Sequence, residues 1–311
     1  MNTRVSYLIA LIVHILACSA SAQSFLELRN DSLHVKFDLT RGGAIAYLSV
    51  DGEERNLVNI HDEGRYIQQS YYAGKKLDRT ADGQRPRWSP WTWNPIQVGD
   101  SYLNRAEILD YKVDDSTVYT KCTPMLWDMK NELAEATMEQ WTTLSGNVIK
   151  VRNRLTCMRT DNLYGEGMNR AQEIPAVYPI SALSELYTYF GDAPFTGASL
   201  NKPEVIHLED GFWGRYNKEK ITESWMAFVD ENKWGMAVYQ PITKNFLAGM
   251  AGKPGGEADD SSTSYIAPIK KEKLFKDSEY EYVYYLLIGD LHQMRTQIYE
   301  IHEQLIENQK K

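Results

Sequence analysis

Residues 61–74 read HDEGRYIQQSYYAG, a run dense in side chains that hold or transfer protons. Arg65 offers a planar fork that can clamp a carboxylate or two adjacent hydroxyls. Gln68 and Gln69 each donate and accept, which suits a ligand rich in hydroxyl groups. Tyr71 and Tyr72 add rings for stacking and phenols for hydrogen bonding or proton transfer. As a strand, the run would place Arg65, Ile67 and Gln69 on one face and Gln68 and Ser70 on the other. The plainer reading is an Arg65–Asp62 pair at a sheet edge, with the tyrosines filling core.

A second constellation follows in residues 87–100, RWSPWTWNPIQVGD. Prolines stiffen the segment around Trp88, Trp91 and Trp93, and Asn94 and Gln97 lie close by. Rigid indoles beside amides suit the apolar C–H faces and hydroxyl edges of sugar rings. The competing reading has the tryptophans cover a hydrophobic sheet edge. In residues 169–180, NRAQEIPAVYPI, Gln172 and Glu173 precede a proline-bracketed segment carrying Tyr178. Glu223 stands just before Trp225. With Asp62, Glu173 and Glu223 are the candidate general acids or bases, against plain roles as cap, ion pair or sheet-edge charge. Two carboxylates facing one sugar drive hydrolysis, and their separation decides the stereochemical outcome. Elimination at a uronate needs a cation or amides on the carboxylate and a base for the C5 proton. His61, Arg65, Gln69, Tyr71 and Tyr72 hold that inventory too, so hydrolysis and elimination both stay open. On either reading, Arg65→Ala weakens ligand binding without unfolding the protein.

Other chemistries lack their signatures. The chain has no Walker loop, no G-x-S-x-G, no H-E-x-x-H and no C-x-x-C. The histidines beyond residue 22 show no zinc-ligand spacing, and His292 and His302 read as solvated helix residues. No metal or cofactor is therefore expected. A net charge of −8 without a basic block argues against nucleic acid or an anionic membrane as partner. At the amino terminus, Arg4 precedes an apolar stretch, and Ala20-Ser21-Ala22 precedes Gln23. That order predicts a cleaved export signal over residues 1–22, and a periplasmic or extracellular protein. Cys18 sits in a weak lipobox, so a lipid-anchored form is the alternative. No segment is long and apolar enough to span a membrane. Cys122 and Cys157 fall in strand-like segments, where they either pair or serve as small core residues.

The elements that must position these groups read mainly as β. FLELRND, LHVKFDLT and AIAYLSV come first, with Gly42-Gly43 and Asp51-Gly52 as turn signals. AEILDYKV with STVYTKCTPMLW, ATMEQWTTL with NVIKVRNRLTC, and SWMAFVD with WGMAVYQP each alternate like antiparallel hairpins. Residues 74–100 and 162–194 read as long loops, the latter with a short helix over residues 181–189, and residues 252–264 as a flexible segment. Asp290 can cap a terminal helix whose Leu291, Met294, Ile298, Ile301 and Leu305 recur at spacings of three and four. That helix is expected to pack on the outside of a sandwich.

The run LHVKFDLTRGGAIAYLSV, residues 33–50, followed by DGEERNLVN, resembles the opening of galactose-mutarotase-like domains. The resemblance implies one antiparallel β-supersandwich domain over residues 23–311, with a sugar on its concave face. True aldose 1-epimerases carry a His-Gly-Gly segment after an early arginine, a second histidine and a late glutamate. Here Gly64-Arg65-Tyr66 is similar to the arginine segment, no His-Gly-Gly follows, and His207 stands in an unrelated context. The resemblance thus implies the fold and a carbohydrate ligand without the mutarotase reaction. The expectation is an exported protein that binds, and cleaves by hydrolysis or elimination, a poly- or oligosaccharide. A non-catalytic glycan-binding protein and an epimerase with rearranged residues are the alternatives.

Overall fold

The computed structural model describes residues 24–159, 163–165, 168–217 and 221–310. The segment expected to be an export signal, and Cys18 within it, lie outside the described residues. Among the described residues, an eight-stranded antiparallel sheet forms the back of the molecule. Its strands run in the order Glu185–Tyr187, Trp225–Val229, Trp234–Tyr239, Ser278–Asp290, Val148–Cys157, Ala136–Ser145, Thr117–Thr123 and Glu107–Val113. A seven-stranded sheet forms the front, in the order Met125–Leu126, Pro95–Ile96, Gln68–Ser70, Arg170–Ala176, Thr263–Glu272, Phe246–Ala251 and Gly214–Tyr216. The opening strands Phe25–Arg29, Leu33–Asp38 and Ala44–Val50 make a third, smaller sheet. Every expected hairpin pairs in antiparallel register.

One hydrophobic core joins the sheets, drawing Ile67, Tyr71, Ile174 and Ile266 from the front and Met138, Val151, Phe228 and Leu286 from the back. Thr117–Thr123 alternates strictly between buried and half-buried residues, the pattern of a strand with one face in the core. Trp225–Val229 is buried at every position because the terminal helix covers the outer face of the back sheet. The turn before Ala44 depends on Gly42 and Gly43, both with positive φ. A Cβ on Gly42 would meet the Gln97 carbonyl oxygen at 2.1 Å.

The helix spans Leu291–Gln309, and the Asp290 carboxylate accepts from the His292 and Gln293 amides, at 2.9 and 3.2 Å. Leu291, Met294 and Ile298 pack against Trp225, Ala227 and Leu287, as the spacing requires. His302 is not solvated. Its Nδ1 lies 3.1 Å from the Tyr239 hydroxyl and its ring stacks on Phe195 at 3.7 Å. No short helix covers residues 181–189. Leu186 is buried between half-buried Glu185 and Tyr187, a two-residue alternation that makes an edge strand on Trp225–Val229. Residues 74–100 are partly sheet, with Ala73–Leu77 paired to Trp91–Trp93. Residues 252–264 are held in place: Arg55 pairs with Glu257, and Asn59 Nδ2 donates to the carbonyls of Asp260 and Ser262 at 2.9 Å.

Cys122 and Cys157 are both free and buried. They flank the strand Ala136–Ser145 from opposite sides, opposite Met138 and Ala136 respectively. Adjacent strands lie about 4.8 Å apart, so a whole strand between them carries the pair beyond the roughly 7 Å that a disulfide spans.

Beneath the helix, the buried Glu223 carboxylate accepts from Arg295 Nη2 (2.9 Å), Tyr299 Oη (2.6 Å), Trp225 Nε1 (2.8 Å) and the Phe195 amide (2.8 Å). Burial opposes its ionisation, but Arg295 and the other donors outweigh burial and hold the carboxyl below its usual range. This stability is present above the unfolded-state pKa and is lost as pH falls through the folded one. Arg295→Met strands the carboxylate and is expected to cost about 3–5 kcal/mol, read from urea unfolding near neutral pH. The gap between wild type and Glu223→Gln should close as the solution is acidified. A gap that widens towards acid pH would exclude the ion pair as its cause.

Candidate functional site

A cleft of about 900 Å³ lies over the outer face of the front sheet. Strand alternation decides which side chains reach it. Along the strand Gln68–Ser70 and just past it, Gln68, Ser70 and Tyr72 face the cleft, whereas Ile67, Gln69 and Tyr71 face the core. The neighbouring strand carries a bulge: Glu173 lies opposite Ser70, yet Ala176 lies opposite Gln68. The extra residue resets the parity, so Glu173, Ala176 and Tyr178 all reach the cleft. Across the floor, Ile269, Glu173, Ser70 and Ile96 form one row in register.

Glu173 accepts a hydrogen bond from Tyr265 Oη at 2.9 Å. Burial raises its pKa, and hydrogen bonds with Ser70, Tyr265 and Tyr72 offset that only in part, so the carboxyl holds its proton above the usual range. Burial and the nearby Glu173 charge in turn push the Tyr72 and Tyr265 phenols well up. Ser70 Oγ lies 3.3 Å from Tyr72 Oη. Gln172, on the core side, fixes the Tyr72 backbone by accepting from its amide and donating to its carbonyl, both at 2.8 Å.

Aromatic rings stand at both ends of this floor. Towards Pro95–Ile96, the Trp88 ring lies 5.3 Å from Trp91 and 6.3 Å from Trp127, and Tyr72 lies 6.3 Å from Trp91. Trp91 Nε1 donates to Asn94 Oδ1 (3.0 Å), and Asn94 Nδ2 donates to the Tyr71 carbonyl (2.8 Å). Towards Gly214–Tyr216, the Tyr265 ring is flanked by Tyr178 at 4.7 Å and Trp213 at 4.6 Å. The arrangement offers stacking surfaces on either side of a carboxyl whose pKa burial raises.

Of the residues singled out from sequence, Gln68, Tyr72, Trp91, Asn94, Glu173 and Tyr178 line the cleft. Gln69 and Gln97 point inward instead: Gln69 Nε2 donates to the Glu139 carbonyl at 3.1 Å, and Gln97 Nε2 to that of Gly42 at 3.0 Å. Tyr71 is core, edge-on to Tyr280 and donating to Gln69 Oε1 at 2.8 Å. Trp93 is buried against the Arg159 guanidinium, 5.1 Å from its ring. Strand parity excludes Gln69, Tyr71 and Gln97 from the cleft, whereas Trp93 shares the parity of Trp91 and is excluded by its burial. Asp62 and Arg65 form the plain pair (3.0 Å), and Arg65 Nη1 donates to the Ser261 carbonyl at 2.6 Å. This clip ties the Glu63–Arg65 turn to residues 252–264, so Arg65 braces the margin without lining the cleft. Glu223 sits behind the opposite sheet, consumed by its ion pair.

Sequence reasoning passed over Trp127, Trp213, Lys76, Arg215 and Lys271, which also line the cleft, and Tyr265, which is buried against Glu173. Tyr265 follows the polar run 252–264 and alternates with Ala267 and Ile269, a signal that was available. The Tyr265→Phe substitution removes a donor that lowers the Glu173 pKa. It should move the Glu173 carboxyl titration upward, followed by carbon NMR of the side chain. An unmoved titration would detach Tyr265 from the acid.

No family model matches the chain, and no curated protein matches it in sequence. Solved structures do share its fold. The Slr1438 protein of Synechocystis gives a TM-score of 0.50 at 8% identity, over 93% of this chain and 99% of that one. A galactose mutarotase-like protein of Lactobacillus casei gives 0.51 at 12% identity, over 85% of this chain and 99% of that one. Identities this low speak for architecture alone: the chain has the galactose mutarotase-like fold.

Proposed function

We propose that the front cleft binds a poly- or oligosaccharide and that Glu173 is the general acid that cleaves it. The observation that carries this reading is the position of Glu173, a carboxyl on the floor between two aromatic walls. A general acid gains from a pKa shifted towards the working pH, and burial moves the Glu173 carboxyl in that direction. The walls supply what sugar rings need, flat apolar surfaces with amides and hydroxyls between them.

Among the described residues that line the cleft, Glu173 is the only carboxylic acid. Hydrolysis by a carboxylate pair would need a second one on the other side of the bond. That favours elimination, with phenols and cations around a single carboxyl, over two-carboxylate hydrolysis. A purely binding role is the second reading, and it is favoured by the hydrogen bonds from Ser70, Tyr72 and Tyr265 that already occupy Glu173. The order of charge, apolar stretch and small residues in residues 1–22 supports an exported protein. A secreted form whose amino terminus is Gln23 by mass spectrometry would bear that out, and retention of residues 1–22 would refute it.

Incubation with a polysaccharide panel separates the readings. New reducing ends with an ultraviolet-absorbing double bond mark elimination; reducing ends without it mark hydrolysis. On a cleaved substrate, Glu173→Gln should lower turnover by about 10²–10⁴-fold and leave binding nearly unchanged. Wild-type turnover should fall as pH rises through the raised Glu173 pKa. Full turnover in Glu173→Gln removes Glu173 from the chemistry, and binding without turnover on every glycan establishes the binding role.

A further inference from the structure

We infer that the cleft selects an anionic glycan, one whose sugar rings carry carboxylate or sulfate groups. The inference rests on the carbohydrate reading and adds the substrate class. Acidic residues outnumber lysine and arginine by 42 to 34 in this chain, so a cation has no shortage of partners. Elsewhere in the fold Arg29, Arg41, Arg55, Arg79, Arg152, Arg154, Lys233 and Arg295 all sit in ion pairs.

The cleft gathers four cations without such partners. Lys76, Arg170, Arg215 and Lys271 line it, and among the described residues none of the four is ion-paired. Among the described residues, the only carboxyl lining it is Glu173, whose charged form burial disfavours. The result is a cationic cleft on a protein of net charge −8. A neutral glycan gives these cations nothing to neutralise. An anionic one supplies the missing counter-charges.

Their placement matches a chain of charged rings. The Lys76 ammonium lies 5.4 Å from the Trp91 ring, and the Arg215 guanidinium 5.1 Å from that of Phe212. A cation thus stands beside a stacking surface at each end of the cleft. A sugar stacked on its C–H face directs its substituents sideways, where these cations wait. Arg170 is oriented by its Nε and Nη2 donating to the Gly74 carbonyl at 2.9 and 2.6 Å. Lys271 stands opposite Ala171, two residues along the strand from the Ile269 that faces Glu173. That places it about 7 Å along the strand from the Glu173 row. Cations spread from wall to wall fit an anion with several separated charges better than a single one.

The test uses the full protein without its signal and follows tryptophan fluorescence or binding heat. The ligands are an oligogalacturonate, its carboxyl-reduced neutral counterpart, a sulfated glycosaminoglycan oligosaccharide and a single-stranded oligonucleotide of similar charge. At least one anionic glycan should bind about 10-fold or more tighter than the neutral one, and the margin should shrink as salt is added. The two anionic arms tell carboxylate from sulfate. The double variant R215A/K271A, checked for an unchanged thermal midpoint, should lose most of that margin, the anionic affinity falling far more than the neutral one. Equal affinity for charged and neutral glycans, or a margin untouched in the double variant, overturns the inference and leaves the carbohydrate reading standing. Tightest binding to the oligonucleotide overturns it too. If no glycan of any kind binds, the carbohydrate reading falls with it.

Discussion

A β-strand can send only every second side chain to a given face, and in the front sheet both faces are in demand. One face must close the core against the back sheet, while the other must offer polar and aromatic groups to a ligand. HDEGRYIQQSYYAG is dense because it serves both at once. Ile67, Gln69 and Tyr71 go inward and Gln68, Ser70 and Tyr72 go outward. In the front sheet, among the described residues, the rule is broken at the bulge after Glu173. Without it, Tyr178 and Glu173 could not both reach the cleft along one regular strand.

Two carboxyls buried in this fold meet opposite fates, and their partners explain why. Burial alone pushes both towards the neutral form. Glu223 meets an arginine, a phenol, an indole and an amide, which together outweigh burial and keep it charged. Glu173 meets hydroxyls but no cation among the causes of its shift, and burial prevails. The first arrangement fastens a helix to a sheet. The second places a carboxyl with a raised pKa at the floor of an open cleft. Residue type does not distinguish them; the charge of the nearest donor does.

The architecture was largely legible because period-two patterns and turn residues are local. The hairpins, the Gly42-Gly43 turn and the capped helix all follow from neighbours within a few residues. The site was legible in part. Glu173, Trp91 and Tyr72 were visible as chemistry, but parity could not be assigned without knowing which strand carries a bulge. Glu223 misled for a different reason: its partner Arg295 lies 72 residues away, on a helix read as a simple amphipathic stripe. An arginine on the apolar face of that helix, beside Met294, was the clue that a buried acid awaited it. The cleft cations were hidden similarly, since an unpaired lysine is defined by what stands around it in space.

Because the terminal helix seals the outer face of the back sheet, burial chemistry and ligand chemistry are divided between the two sheets. Strand Trp225–Val229 is apolar on both faces and has no exposed side to offer. The front sheet keeps its outer face open and must therefore tolerate polar groups there at some cost to stability. Tyr72, Tyr265 and Glu173 limit that cost by satisfying one another, so the floor is held in one arrangement before any ligand arrives. Preorganisation of this kind matters most for an acid, whose usefulness depends on a proton being present and aimed. The cations at the margin are held more loosely, Lys76 and Arg215 against aromatic rings rather than carboxylates. Rigid acid and adaptable rim are what a cleft needs if it is to fix one bond of a long chain while accepting its neighbours in more than one pose.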